Sequence, residues 1–476
     1  MLEQTRSVQQ RLRALPCRVG VYFLLAMCLF PEVGYKLVWD KMTTALTGIP
    51  LVSPTAKALR DLRRRVGIAP MRALFDVLSG PLARPSTLGV RFSPYRTVSF
   101  DGCSSLKAPD TERNRARFGA SDRNGYPMLE LVTLVETGTR ALIGAVFGPT
   151  AEGETSYARR LLHLLDPGML VLWDKGFDGN DFLADVTSTG AQVLGRLRSN
   201  RRTPALSRLR DGSYLSVIGR VRVRVIDARV RVTCDDGTEF ASSYRLVTTL
   251  TDPRRYPAPA LIGLYHQRWE HESAYYALRH TLMGGRILRS GDPVGVEQEM
   301  WALLVLYQAL RTQMVDAAQS RPRTDPDRCS FTIALQAARE HVVQAVGVIS
   351  VAADLVGPIG RRVLAALLPA RRLRVSTRKV KSPISRYGER QDDGRPDRSR
   401  AVIGLGIEVC EPVFCEPALP AASRDERHSV RAERRRGVVQ RQPQARDVGR
   451  EGAEAVAECS GGPSGGVLLD WPVQHP

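Results

Sequence analysis

The run Met169-Leu170-Val171-Leu172-Trp173-Asp174-Lys175-Gly176-Phe177 decides how this chain is read. Five consecutive apolar residues followed by an acidic one describe a strand covered on both faces and stopping at Asp174. Upstream, Arg96–Phe100 is a short β-rich run that ends in Asp101-Gly102. Leu129–Val135 and Leu142–Phe147 are two more, joined by a turn around Glu136–Thr139, which is the pattern of an antiparallel hairpin. Thr155–Leu165 reads as helix before the central run; Asp178–Thr189 as helix and Gln192–Leu197 as strand after it. The order β-β-β-α-β-α-β predicts an α/β fold with a mixed sheet. Asp101 and Asp174 are both expected at strand ends, where a change in strand order gathers functional groups. On neighbouring strands their carboxylates would lie side by side, and a divalent cation is a common remedy for that repulsion.

Outward from this centre the pattern changes twice. Residues 199–252 read as strands only. Arg220, Arg222 and Arg224 alternate with valines, as do Arg229 and Arg231, and Asp235-Asp236-Gly237 is a hairpin turn. Period two predicts an arginine face suited either to a phosphate backbone or to blocking edge pairing. Helices are expected over Pro259–Met283, Val296–Ala318, Cys329–Val346 and Ile359–Leu368. From Arg11 to about Leu82 the chain is mostly helical. Ser53 is the expected N-cap and Pro54 the first helical residue, Gly67 closes that helix, and Ala69-Pro70 opens the next. Such a pair is either a helix-turn-helix, with Arg60, Arg63, Arg64, Arg65 and Arg72 as a phosphate-facing edge, or a hairpin within a bundle. Beyond Arg371 the composition becomes arginine- and proline-rich, and a flexible basic tail is expected.

Composition narrows the class. The 476 residues are 43% hydrophobic and 25% charged, which excludes disorder over the whole length. The formal net charge is +20 and the isoelectric point near 10.1, a balance that favours a polyanionic partner such as nucleic acid. Val19–Phe30, the most apolar early run, is interrupted by Gly20 and is shorter than the about 20 residues a bilayer span needs. It has no small-residue cleavage site behind it, so no membrane association or export is expected. Eight cysteines without CxxC pairs or companion histidines point to free thiols in a reducing cytoplasm rather than a zinc site.

The helix after Pro259 carries a third acidic residue. Tyr265, Arg268, Glu272 and Arg279 fall within a stripe about 60° wide on an ideal helix, flanked by Trp269 and Tyr276. Charges sharing a face with large aromatics are expected to turn inward. Glu272 is then held by neighbouring cations, either at a functional centre or in a buried ion-pair network with Arg268 or Arg279.

Phe100-Asp101-Gly102, Leu172–Phe177 and Tyr265-x2-Arg268-x3-Glu272-x6-Arg279 together resemble the DDE transposases of the insertion-sequence-4 family, the last pattern being similar to its YREK signature. The Leu131–Pro149 and Gly285–Leu304 runs are also similar to actinobacterial-type members, and the resemblance extends from about Leu12 to about Ser385. It implies an RNase H-like catalytic core with a β-rich insertion between the second aspartate and the glutamate, and a helical N-terminal region for end-DNA binding. The expected domains are therefore 1–90 helical, 96–198 first part of the core, 199–252 insertion, 253–370 helical completion and 371–476 disordered basic tail. The resemblance further implies two Mg²⁺ ions, with Mn²⁺ as the alternative, on Asp101, Asp174 and Glu272. Tyr265, Arg268, Arg279 and Lys175 would hold DNA phosphates. The partners implied are terminal inverted repeats, target DNA and a second copy of the chain, in the nucleoid-associated cytoplasm of a bacterium. Arg279 replaces the family's usual lysine, and Lys175 the usual arginine; both keep the charge. The rival readings are an inactive DNA-binding descendant and an RNase H-like nuclease that cuts without joining.

Overall fold

The computed structural model describes residues 1–8, 14–46, 51–119, 125–234, 237–266, 268, 270–344, 356–369, 374–375 and 400–410. Four helices come first: α1 (Cys17–Leu29), α2 (Tyr35–Thr43), α3 (Ala56–Val66) and α4 (Ala69–Leu78). The α3 helix starts later than the sequence predicts. Thr55, not Ser53, is the cap, its hydroxyl accepting from the Ala58 amide at 3.2 Å. The short β1 (Arg91–Phe92) pairs with β2 (Tyr95–Lys107); α5 (Glu112–Phe118), β3 (Met128–Glu136), β4 (Ala141–Pro149) and α6 (Glu154–Arg159) follow. Next come β5 (Met169–Trp173), α7 (Asn180–Ser188), β6 (Gln192–Arg196), β7 (Ser207–Arg208), β8 (Tyr214–Ile218), β9 (Val221–Cys234) and β10 (Glu239–Thr248). The rest is α8 (Ala258–His266), α9 (Glu270–Tyr276), a π-helical turn (Ala277–Leu282), α10 (Pro293–Ser320), α11 (Phe331–Gln344), α12 (Gly357–Ala365), β11 (Arg374–Val375) and β12 (Arg400–Val409).

One mixed sheet organises these elements, in the order β11-β12-β9-β10-β6-β5-β2-β3-β4. Three antiparallel strands, β4-β3-β2, continue into the parallel pair β5-β6, the RNase H-like arrangement. Successive residues of β5 serve opposite faces. Met169, Val171 and Trp173 pack with α6 and α7, while Leu170 and Leu172 pack with α8. Helices on both faces explain why that strand reads as an unbroken apolar run. A third core joins the N-terminal helices to α10, α11 and the outer parts of β2, β3 and β4. No helix among the described residues is long and apolar enough to cross a membrane.

Several expectations are corrected. The first strand does not end at Asp101 but continues to Lys107, because β3 runs beside it and pairs Asp101 with Thr133. The Pro259–Met283 helix is not continuous: α8 ends at His266, α9 begins at Glu270, and the π turn follows. The arginines of β9 do not form one face. Residues 222 and 224 differ in parity from 229 and 231, so the pairs project to opposite sides of the sheet. Arg224 is fully buried, donating to Ser213 Oγ at 2.8 Å and the Tyr256 carbonyl at 2.7 Å and paired with Asp211. Arg63, expected on a phosphate-facing edge, is 5% exposed and bonds Gln298, Ser290 and Tyr35, whereas Arg60, Arg64 and Arg72 are exposed. Arg400–Val409, counted with the tail, is a strand that covers β9. Asp235, Asp236, Trp269 and most of the tail lie outside the described residues.

Candidate active site

The sheet changes direction between β2 and β5. After β2 the chain builds outward through β3 and β4, then returns to lay β5 on the other side of β2. Such a switch point leaves a crevice beyond the carboxyl ends of the strands. The parallel pairing stops at Ser99 with Leu172, and Asp101 and Asp174 each stand two residues further on. Asp101 Oδ1 accepts from the Gly102 amide at 3.0 Å, and Asp174 Oδ1 from the Gly176 amide at 2.7 Å.

Helix α9 brings the third carboxylate. His271, fully buried, lies with Nδ1 2.7 Å from Ser99 Oγ on β2 and Nε2 2.8 Å from Thr133 Oγ1 on β3. Tyr275 lies with its hydroxyl 3.0 Å from Thr133 Oγ1 and donates to the Asp101 carbonyl at 2.6 Å. Glu272 stands between these anchors in sequence. Burial pushes the His271 pKa well below its ordinary value, with Arg268 adding to the effect, so the ring is neutral.

Arg268 joins the set. Its Nη2 donates to Glu272 Oε1 at 3.1 Å, and its Nη1 lies 3.5 Å from Asp101 Oδ2. Asp174 is close enough to act on it as well. Desolvation opposes the charge of this guanidinium, but Tyr265 and the three carboxylates more than offset it, and its pKa is raised. One side chain thus supplies positive charge to three carboxylates from distant parts of the chain. Among the described residues no three His, Cys, Asp or Glu side chains are set to hold an ion as they stand. Asp101, Asp174 and Glu272 are nevertheless a hard-oxygen set of the kind Mg²⁺ and Mn²⁺ take, already gathered about one cationic group.

The remaining expected phosphate ligands divide. Lys175 is exposed beside Asp174. Tyr265 is 5% exposed and packs edge-on against Tyr244 at 5.7 Å, so its ring belongs to the core. Arg279 is half-buried in the π turn and, among the described residues, makes no ion pair with the three carboxylates. Tyr276 points outward at 37% exposure, against the expectation of an inward aromatic flank.

Sequence reasoning missed four residues here: His271, Tyr275, Glu130 and Glu154. The first two sit at −1 and +3 from Glu272, the spacing that lays side chains near one helix face, and could have been found by that periodicity. The two glutamates gave no local signal, since only the sheet order brings them to Asp101. Burial pushes Glu130 up to about 7, with Glu154 and Asp101 adding to the effect. Glu154 is raised by burial and then by Asp101 and Asp174.

Two family models match this chain. Residues 1–76 match the family described as insertion element 4 transposase N-terminal, and residues 93–308 the one described as transposase DDE domain. The chain is 26% identical over 344 residues to transposase InsG for insertion sequence element IS4 of Escherichia coli (strain K12), covering 70% of this chain and 77% of that one. It is 28% identical over 138 residues to the putative transposase InsZ of the same organism, covering 28% of this chain and 46% of that one. Among solved structures, a chain of the piggyBac transposase synaptic complex with hairpin DNA matches with a TM-score of 0.38 and 11% identity, over 74% of this chain and 76% of that one.

Proposed function

The chain belongs to the insertion-sequence-4 family of DDE transposases, and from that premise we propose that it cleaves and joins element ends by phosphoryl transfer at Asp101, Asp174 and Glu272. The observation that carries this reading is Arg268, bonded to Glu272 and paired with Asp101 beside the switch point where Asp174 also stands. Transposition is the function of the family, DNA its substrate, and divalent metal its general requirement.

Asp101, Asp174 and Glu272 would hold two Mg²⁺ ions, or Mn²⁺ in their place. When bound, such ions neutralise the charge that develops on the attacking and leaving oxygens of an in-line displacement. The protein's own contribution is placement. His271 and Tyr275 fix α9 against β2 and β3, and Arg268, bonded to Glu272 and paired with Asp101, links the carboxylate of α9 to that of β2. Lys175 and Arg279 offer charge to backbone phosphates of the terminal DNA, and the exposed Arg60, Arg64 and Arg72 offer it further along the duplex. In the first step water attacks the phosphorus at the element end, the P–O3′ bond breaks, and a 3′-hydroxyl is released. In the second that hydroxyl attacks the opposite strand or the target, displacing another 3′ oxygen. Residues 1–90 bind the ends, the strands of 199–252 extend the DNA-facing surface, and two copies of the chain bring the two ends together. The reaction takes place on the nucleoid in the bacterial cytoplasm.

The reading expects inverted repeats flanking the gene, and these are the substrate for the test. Purified protein, Mg²⁺ and a DNA bearing those repeats are expected to yield strand-joined products. Nicked ends without any joined product would reduce the reading to a nuclease, and binding without nicking to an inactive descendant.

A further inference from the structure

The crevice holds a fourth carboxylate that approaches from the opposite side of the sheet to α9. Glu154 opens α6, whose Tyr157 and Ala158 are buried with Phe100 in the core beneath that face. Gly102, two residues beyond Phe100, presents the same face. A Cβ there would lie 2.6 Å from Glu154 Cδ, so the carboxylate of Glu154 occupies the space a side chain next to Asp101 would fill. A Cβ on Gly176 would lie 2.8 Å from Asp174 Oδ1 and 3.3 Å from Glu154 Oε2, which puts these two oxygens around one point. Neither glycine has a positive φ. Their lack of a side chain is therefore a demand for room, not for backbone conformation.

Glu130 lies behind. It is 4% exposed, and its Oε1 has no hydrogen-bond partner, an arrangement that costs free energy unless a donor or a cation completes it. Glu154 and Asp101 are the charged groups that act on it.

We propose that Glu154 is a metal ligand of the centre, adding a carboxylate to the divalent cation held by Asp101 and Asp174. The proposal rests on the reading of those two aspartates as metal ligands. Hard cations accept several oxygens, and Glu154 supplies one from the side of the sheet that α9 does not reach.

The test is Mn²⁺ alone, titrated against the full-length protein without DNA and followed by electron paramagnetic resonance. Wild type, Glu154→Gln, Glu154→Asp, Gly102→Ala and Asp174→Ala are compared, with folding checked by circular dichroism. Glu154→Gln is expected to weaken Mn²⁺ binding at least about tenfold, with Glu154→Asp between it and wild type. Gly102→Ala, which drives the carboxylate from its place, is expected to act like Glu154→Gln, and it carries the test if the latter fails to fold. Wild-type Mn²⁺ affinity in Glu154→Gln and Gly102→Ala, together with its loss in Asp174→Ala, overturns the role of Glu154 and leaves the aspartates standing. Unchanged affinity in Asp174→Ala overturns the underlying reading, and this proposal with it.

Discussion

Arg268 shows what a single side chain decides in this protein. It lies within the family signature, and its partner is open there: Glu272 by helix spacing, or a DNA phosphate by the resemblance. The structure pairs it with Asp101 and Glu272 at once, so one guanidinium serves two carboxylates from different elements. Arg63 and Arg224 teach the converse. Both sit in basic runs that read as solvated faces, yet both are buried and bonded to polar groups of remote elements. A charge count cannot reveal that, because burial is decided by what packs on top. Glu130 yields a prediction at this scale. Its pKa rises from 4.5 to about 7 on folding. Below the lower value both states are protonated and it contributes nothing. Between the two values the unfolded chain ionises first and stability is lost as pH rises; above the upper value the loss is complete. Glu130→Gln is therefore expected to raise the melting temperature of metal-free protein at pH 8 and to leave it unchanged at pH 4. An equal effect at both values would contradict the assignment.

Among the elements, β5 was the most legible, since only a strand covered on both faces needs five apolar residues in a row. The β3-β4 hairpin was equally plain. Helix 259–283 was not. Its angular stripe assumes 3.6 residues per turn throughout, whereas Arg279 lies in the π turn at Ala277–Leu282, which does not keep that period. The β9 strand misled for a related reason. Val225 and Ile226 are both apolar, the alternation changes phase there, and the two arginine pairs land on opposite faces. Helix α9 earns its place through two side chains, and its prediction follows. Tyr275→Phe removes the hydroxyl that donates to the Asp101 carbonyl and lies beside Thr133. A loss of about 1 kcal/mol of stability is expected from denaturant titration, with slower end cleavage and unchanged end-DNA affinity. Unaltered cleavage would mean that α9 is held by packing alone.

For the molecule as a whole, sheet order carries the information that local pattern lacks. Asp101 and Asp174 were legible as acidic residues at strand ends and Glu272 as one on an inward helix stripe, but bringing them near one another depends on β5 lying beside β2 and on α9 being anchored to β2 and β3. Spacing could permit that meeting without requiring it, and the signature resemblance made the choice. The far edge of the sheet shows the limit of composition. Arg400–Val409 lies in an arginine-rich region and was counted with the tail, yet its Ile407 and Val409 pack against the β9 side of the core. Truncation before Arg400 is expected to uncover β9 and give a chain that aggregates in size-exclusion chromatography, because an unpaired long strand invites edge-to-edge pairing. Truncation after Cys410, whose amide bonds the Asp227 carbonyl at 2.7 Å, is expected to stay monodisperse. Equal behaviour of the two would show that β12 does not protect that edge.

The most direct measurement is Mg²⁺-dependent nicking of a DNA carrying the element ends, by wild type and by Asp101→Ala, Asp174→Ala and Glu272→Ala. Each variant is predicted to lose nicking while still binding the ends. Wild-type nicking by any one of them would contradict the centre described above.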